Sequence, residues 1–223
     1  MKDFDKVIEL NPNDLESYIN KGEIFKDIGE YKKAKDEFSK SISLDSNYTE
    51  IYFNRGYCNN ELENHKQAIL DYSKSISLDS YYANVYNNRG VSKVKLKDYE
   101  GAIADYNKAI SLNPNLAIAY YNRGNSKNDL KDCDGAIADF NKAISLNPDY
   151  FGAYNNRGVS KNFLKDYKGA IADLTKAIEL DPDDVSAYFN RGISKYYLSR
   201  DYCPDLKKAC EFGNCGTYNK VCK

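Results

Sequence analysis

The sequence predicts an all-α solenoid of 34-residue helix-turn-helix repeats, and three observations predict it. The tripeptide Asn54-Arg55-Gly56 returns as Asn88-Arg89-Gly90, Asn122-Arg123-Gly124, Asn156-Arg157-Gly158 and Asn190-Arg191-Gly192 at intervals of 34 without an insertion, and Asn20-Lys21-Gly22 extends the series backwards. Tyr18, Tyr52, Tyr86, Tyr120, Tyr154 and Tyr188 stand four residues before each glycine, and Ala34, Ala68, Ala102, Ala136 and Ala170 stand twelve after the first five. Apolar residues such as Ala102, Ile103, Tyr106, Ala109, Ile110 and Leu112 recur at helical spacing. A fixed period of this length is what stacked repeat arrays show, because each unit buries its apolar face only against its neighbours.

Each repeat reads as two helices. The first carries Tyr and Gly, and the second carries Ala, an aromatic residue or Leu, Ala and Ile. Residues 1–14 align with a second helix alone, Phe4, Val7, Ile8 and Leu10 matching Phe38, Ser41, Ile42 and Leu44. Full repeats follow at 15–48, 49–82, 83–116, 117–150 and 151–184, and 185–223 is a degenerate sixth repeat with a C-terminal cap, the whole forming one continuous solenoid domain. In that last segment Leu198 to Asp205 is two residues shorter than Leu164 to Asp173, and Pro204 interrupts it. Asn113-Pro114, Asn147-Pro148 and Asp181-Pro182 are expected to cap and open the next repeat's first helix, with Asp45-Ser46 and Asp79-Ser80 acting the same way. A glycine inside a helix costs about 1 kcal/mol relative to alanine, so six of them in register imply a close helix-helix approach. The alanine column is expected to face it.

Composition removes several function classes. The 32 Lys and Arg nearly cancel the 33 Asp and Glu, leaving a formal charge of -1, whereas a nucleic-acid binder gathers a basic surplus on one face. Nucleic acid is therefore not an expected partner. No stretch is long and apolar enough to span a bilayer, so no membrane insertion is expected. The opening Met-Lys-Asp-Phe-Asp-Lys lacks the apolar core of a signal peptide, which points to a cytoplasmic protein. The 21 Tyr and 9 Phe, with no Trp, suit half-buried surfaces between thin layers.

The aromatic residue, Gly, Ala, second aromatic residue or Leu, Ala and Pro at these spacings resemble the tetratricopeptide repeat over Leu15 to Asp184. Tyr stands where that family most often has Trp, and Arg or Lys precedes Gly where Leu is common. The tail with Asp205, Leu206, Ala209 and Phe212 resembles the degenerate closing helix of many bacterial arrays. The resemblance implies a right-handed superhelix whose first helices line a concave, peptide-binding groove, and hence a non-catalytic protein-interaction scaffold.

On that groove the column Asn20, Asn54, Asn88, Asn122, Asn156 and Asn190 forms a candidate ladder of amides able to pair with a peptide backbone. The alternative is that each Asn bonds to its own or a neighbouring helix. Phe53, Asn87, Tyr121, Asn155 and Phe189 precede that column, Tyr57 and Asn125 lie three residues beyond it, and together they make the candidate surface aromatic and amide. None of the groove positions is Lys, so the carboxylate clamp of some family members is not expected. A ligand with a few apolar anchors on an extended or helical backbone fits better. Arg55, Arg89, Arg123 and Arg157 precede Asp71, Asp105, Asp139 and Asp173 by sixteen residues each, which predicts structural pairs rather than an anion-binding stripe.

His65 is the only histidine and occupies the column of Tyr31, Tyr99 and Tyr167, a packing position. Cys203, Cys210, Cys215 and Cys222 are spaced too widely for a usual zinc site, and Cys210 takes the place of Ile110, Ile144 and Ile178. Reduced, packing thiols are the cytoplasmic default. No catalytic residue, metal or cofactor is expected. The leading expectation is a scaffold holding a protein or peptide; the alternatives are an array that self-associates through its ends and a redox-responsive adaptor acting through the cysteine cluster.

Overall fold

The computed structural model describes residues 2–222; Met1 and Lys223, the outer limits of the first and last segments, lie outside the described residues. Every regular element is a helix, and the helices fall into two units. The first unit holds α1 (Lys2–Leu10), α2 (Leu15–Asp27), α3 (Tyr31–Leu44), α4 (Thr49–Glu61), α5 (His65–Leu78), α6 (Ala83–Lys95) and α7 (Tyr99–Leu112). The second holds α8 (Ala117–Asp129), α9 (Cys133–Leu146), α10 (Phe151–Phe163), α11 (Tyr167–Leu180), α12 (Val185–Tyr197), α13 (Cys203–Glu211) and α14 (Gly216–Val221). No described helix is long and apolar enough to cross a membrane.

Inside each unit the helices pair in chain order, the even-numbered helix of a repeat packing on the odd-numbered one that follows it. Asp98, Asp132 and Asp166 start α7, α9 and α11 by accepting hydrogen bonds from the backbone N–H of Gly101, Gly135 and Gly169. At the turn from first to second helix the chain passes through a left-handed residue, Gly29 in the first repeat and Glu63, Lys97, Lys131, Lys165 and Ser199 in the others. Only Gly29 adopts this conformation without the cost of a Cβ.

The Asn-Pro steps do not cap the following helices. Asn113, Asn147 and Asp181 end α7, α9 and α11 in an extended conformation, with φ of -135°, -137° and -135°. Asp45 and Asp79 end α3 and α5 in the same way. The ring of the next proline disfavours helical geometry in the residue before it, which reinforces a stop that Asp45 and Asp79 make with serine after them, and the next repeat starts only after the turn. Within that turn the side chains of Asp45, Asp79, Asn147 and Asp181 accept from the backbone two residues on.

The interior glycines meet chiefly the second aromatic column rather than the alanine column, which comes near only at Gly158 through the Ala170 carbonyl. A Cβ built on Gly22, Gly56 or Gly90 would lie 2.6, 2.8 or 2.6 Å from the ring of Phe38, Tyr72 or Tyr106. Phe140, Leu174 and Leu206 fill the same place against Gly124, Gly158 and Gly192. The alanines Ala34, Ala68, Ala102, Ala136 and Ala170 are fully buried in the layer beside these contacts.

Candidate functional site

The arginine column is structural. Arg55 donates from Nε and Nη2 to Asp71 at 3.1 and 2.6 Å, and Arg89 does the same to Asp105 at 2.9 and 2.6 Å. Arg123 and Arg157 repeat the fork on Asp139 and Asp173. Nη1 reaches the preceding repeat's second helix, Arg55 to Ser39, Arg89 to Ser73 and Arg157 to Asn141, so one guanidinium ties three helices. Each of these guanidiniums also lies over the Tyr three residues earlier, as Arg89 does over Tyr86 at 5.6 Å. A third member, Lys93, Lys127 or Lys161, adds a second cation to the same carboxylate at 2.7 to 2.8 Å. In the first repeat Lys21 pairs with Glu37 and with Asp5 of α1, and Asp5 is held below the usual carboxylate range by that lysine. With every carboxylate of this column occupied, the arginines are not free to bind an anion.

Two further pieces of this network escape a reading by fixed spacing. Arg191 pairs with Asp205 at 3.0 and 2.7 Å and Lys195 joins at 2.8 Å, although the two-residue deletion shortens the separation to fourteen. Burial raises the Asp205 carboxyl, but bonds from Arg191 and Lys195 outweigh it and hold the group below its ordinary value. Serines on one first helix also bond to asparagines on the previous one, Ser92 to Asn60, Ser160 to Asn128 and Ser194 to Asn162.

The asparagines of the candidate ladder take several partners inside the protein. Asn54 is buried and accepts from Lys26 of α2 at 3.1 Å. Asn88 accepts from Asn87, itself buried, and bonds the Tyr72 hydroxyl. Asn156 donates to Tyr121 and, at 2.7 Å, to Asn125 of α8. Asn190 donates to Ser186 one turn back on its own helix. Asn20 and Asn122 are half-buried on α2 and α8, and Asn122 is also hydrogen-bonded. Asn155 is half-buried, and its side-chain oxygen has no hydrogen-bond partner among the described residues. Phe53 packs against Tyr72 and Tyr82, and Tyr121 against Phe140 and Tyr150, so these two rings face the repeat interior as much as the groove.

Two hollows gather candidate residues between neighbouring first helices. In the first unit Phe53, Asn54, Tyr57 and Asn88 join Lys26, Asp27 and Tyr31 around a hollow of about 430 Å³, with Tyr57 edge-on to Tyr31 at 6.1 Å. Its lining is mixed, charged and aromatic. In the second unit Phe189 and Asn190 join Val159, Asn162, Phe163, Tyr167, Ile193 and Tyr197 around one of about 310 Å³, almost wholly apolar. Tyr167 and Tyr197 stack there at 4.8 Å with rings 10° from parallel.

Phe163, Tyr167 and Tyr197 were not among the candidates, yet the sequence carries a signal for two of them. Five residues past the repeat glycine stand Asp27, Glu61, Lys95 and Asp129, all charged, and then Phe163 and Tyr197. Phe163 is 65% exposed and Tyr197 59% exposed. A column that is charged in four repeats turns aromatic in the last two, and the Tyr167–Tyr197 stack and the Lys131 ammonium 5.6 Å above Phe163 still leave most of both rings in solvent.

The remaining candidates are hydrogen-bonded, buried or covalently engaged. His65 is hydrogen-bonded through Nδ1 to Asn60 Oδ1 at 2.9 Å. Burial pushes the Cys58 thiol up to about 11, so it is protonated at neutral pH and a poor nucleophile. The four tail cysteines are not free packing thiols. Cys203 is bonded to Cys222 and Cys210 to Cys215, because α13 and α14 run back along each other and bring the Cα atoms to 5.7 and 4.1 Å. Among the described residues no group of three or more His, Cys, Asp and Glu is placed to hold a metal ion.

Family profiles described as "Tetratricopeptide repeat" match residues 15–48, 49–82 and 117–150, and one described as "TPR repeat" matches residues 92–127 and 164–198. Among solved structures the chain is similar to YrrB, described as a TPR protein with an unusual peptide-binding site, at 26% identity and a TM-score of 0.69, covering 83% of this chain and 96% of that one. It is similar to the MamA protein at 25% identity and a TM-score of 0.69, covering 76% and 92%. Pseudomonas aeruginosa pilF superposes with a TM-score of 0.79 over 94% of this chain and 97% of that one, but at 18% identity that likeness concerns the fold alone. No curated protein matches the sequence significantly.

Proposed function

We propose, on the premise that this chain belongs to the tetratricopeptide repeat family, that it is a non-catalytic scaffold which seats an apolar side chain of a peptide or partner helix between α10 and α12. The observation that carries this reading is the pair Phe163 and Tyr197, large rings left in solvent at a column that is charged in the other repeats. Around them Val159, Phe189 and Ile193 supply an apolar wall, edged by Asn162 and Asn190, whose amides already bond to Ser194 and Ser186 and keep only their remaining capacity for a ligand backbone. The asparagine ladder takes a secondary part here. Asn54, Asn88 and Asn156 already bond within the protein, so they order the first helices and offer a ligand only their remaining capacity. The peptide-binding site named for YrrB supports the class of ligand.

Selection of a displayed peptide library on the full chain, followed by affinity measurement, tests the reading. Phe163→Ala removes an exposed ring, so stability is expected to change by no more than about 0.5 kcal/mol. Affinity for the selected peptides is expected to fall about tenfold, or ~1.4 kcal/mol, as for loss of an aromatic anchor. Unchanged affinity with the fold intact would place binding elsewhere.

A further inference from the structure

The last two helices close the chain differently from every junction before them. In each earlier junction within a unit, the first helix of the next repeat lies on the preceding second helix. Here α14 follows α13 in that order, but it is six residues long and none of them is buried. A helix that short does not persist by itself in water. The main constraint on α14 is covalent: Cys203 at the start of α13 is bonded to Cys222 just past the end of α14, and Cys210 to Cys215 across the turn.

Held there, Thr217 and Val221 cover a hollow of about 200 Å³ over Ile193, Tyr197 and Leu206. Ile193 and Tyr197 also line the apolar hollow between α10 and α12. The helix pinned by the disulfides is therefore the wall at one end of the proposed docking surface.

We propose that the Cys203–Cys222 disulfide is a redox latch on that surface. Oxidised, it keeps α14 against Leu206 and the neighbouring flank of Ile193; reduced, it releases α14 and extends the apolar surface from the already exposed Tyr197 onto them. The regulatory part rests on the docking reading above. The two bridges are not equivalent. Cys210 and Cys215 are five residues apart, across a turn already closed by Gly213 N–H to the Cys210 carbonyl and Asn214 N–H to the Ala209 carbonyl. Cys203 and Cys222 are nineteen apart, and their bond returns the far end of α14 to the start of α13, helped only by a long hydrogen bond of 3.5 Å from the Tyr202 hydroxyl to the Val221 carbonyl.

A dithiol reductant opens the latch. One of its thiolates attacks the sulfur of Cys203 or Cys222, forming a mixed disulfide while the other cysteine leaves as a thiolate and takes up a proton. The reductant's second thiol then displaces the bound cysteine, leaving two protein thiols and an oxidised reductant, a transfer of two electrons and two protons. Both cysteines are half-buried rather than sealed, so the attack has access.

Hydrogen exchange on the full chain, oxidised and after dithiothreitol, tests this in wild type, Cys222→Ser and Cys215→Ser. Reduction and Cys222→Ser are each expected to speed exchange in residues 216–221 about tenfold and leave α10 and α11 unchanged, whereas Cys215→Ser shifts it less than about twofold. Fluorescence of an anilinonaphthalene sulfonate probe is expected to rise about twofold in the same two states as apolar surface opens. Equal protection of α14 before and after reduction, equal release by Cys215→Ser, or release without a rise in probe fluorescence would overturn the latch. These readouts need no partner, so they fail independently of the docking reading. A library-selected peptide that depends on Phe163 should then change affinity at least about threefold on reduction, and an equal affinity would overturn the regulatory part alone.

Discussion

Replacing Asp105 with alanine is expected to destabilise the first unit by about 3 kcal/mol, because it strands two cations that share one buried carboxylate. Arg89 gives that carboxylate two bonds and Lys93 a third, and the Asp105 side chain is 6% exposed. The gain of the intact cluster over an apolar replacement is small, but removing one member leaves the others desolvated without a counter-charge. Asp71 supplies the internal comparison. Its partners are Arg55 and the neutral Asn59, so Asp71→Ala strands only one cation and is expected to cost about 2 kcal/mol. Urea unfolding of both variants checks the order. An equal cost at the two sites would mean that stranding Lys93 costs no more than stranding the buried Asn59 amide.

The second large effect is expected where Gly56 meets Tyr72. Tyr72 is 1% exposed, and Tyr72→Ala should cost about 3 to 5 kcal/mol by opening a cavity between α4 and α5. Gly56→Ala sets two effects against each other. Alanine favours the helix by about 1 kcal/mol, but its Cβ would sit 2.8 Å from a ring that has no room to withdraw, and overpacking of this kind costs about 1 to 3 kcal/mol. The clash is expected to win in the wild-type background, by about 1 kcal/mol. With Tyr72→Ala already made, the added methyl enters the cavity and the same substitution should stabilise by about 1 kcal/mol. A double-mutant cycle of unfolding free energies checks this reversal of sign.

The helices were legible because the same residue types return at the same helical phase, so Tyr, Gly and Ala columns fix where each first and second helix lies. Finer contacts were less so, for particular physical reasons. Ala102 and Tyr106 sit one turn apart on α7, and both fit the requirement that something small or flat meet Gly90; only the coordinates show that it is the Tyr106 ring. Asn113 before Pro114 suits either end of a helix by composition, and it became a C-terminal cap like Asp45 and Asp79, which have no proline after them. The Arg-Asp pairs followed from a constant spacing, but Asp205 was hidden by a deletion that moved it two residues closer to Arg191. The disulfide pairing is nested, Cys203 with Cys222 around Cys210 with Cys215, and depends on α14 folding back along α13, which the spacing alone does not dictate. For the candidate site, a reading confined to the Asn column and its neighbours passed over the column holding Phe163 and Tyr197, where the departure from the repeat lies.

The measurement that bears most directly on the docking surface is the hydrogen-exchange footprint of a library-selected peptide on the full chain. Slowed exchange confined to the α10 segment Val159 to Phe163, the start of α11 at Tyr167 and the α12 segment Phe189 to Tyr197 is the predicted result. Protection instead along α9 and the rest of α11, with α10 and α12 unchanged, would contradict it and assign binding to the second helices.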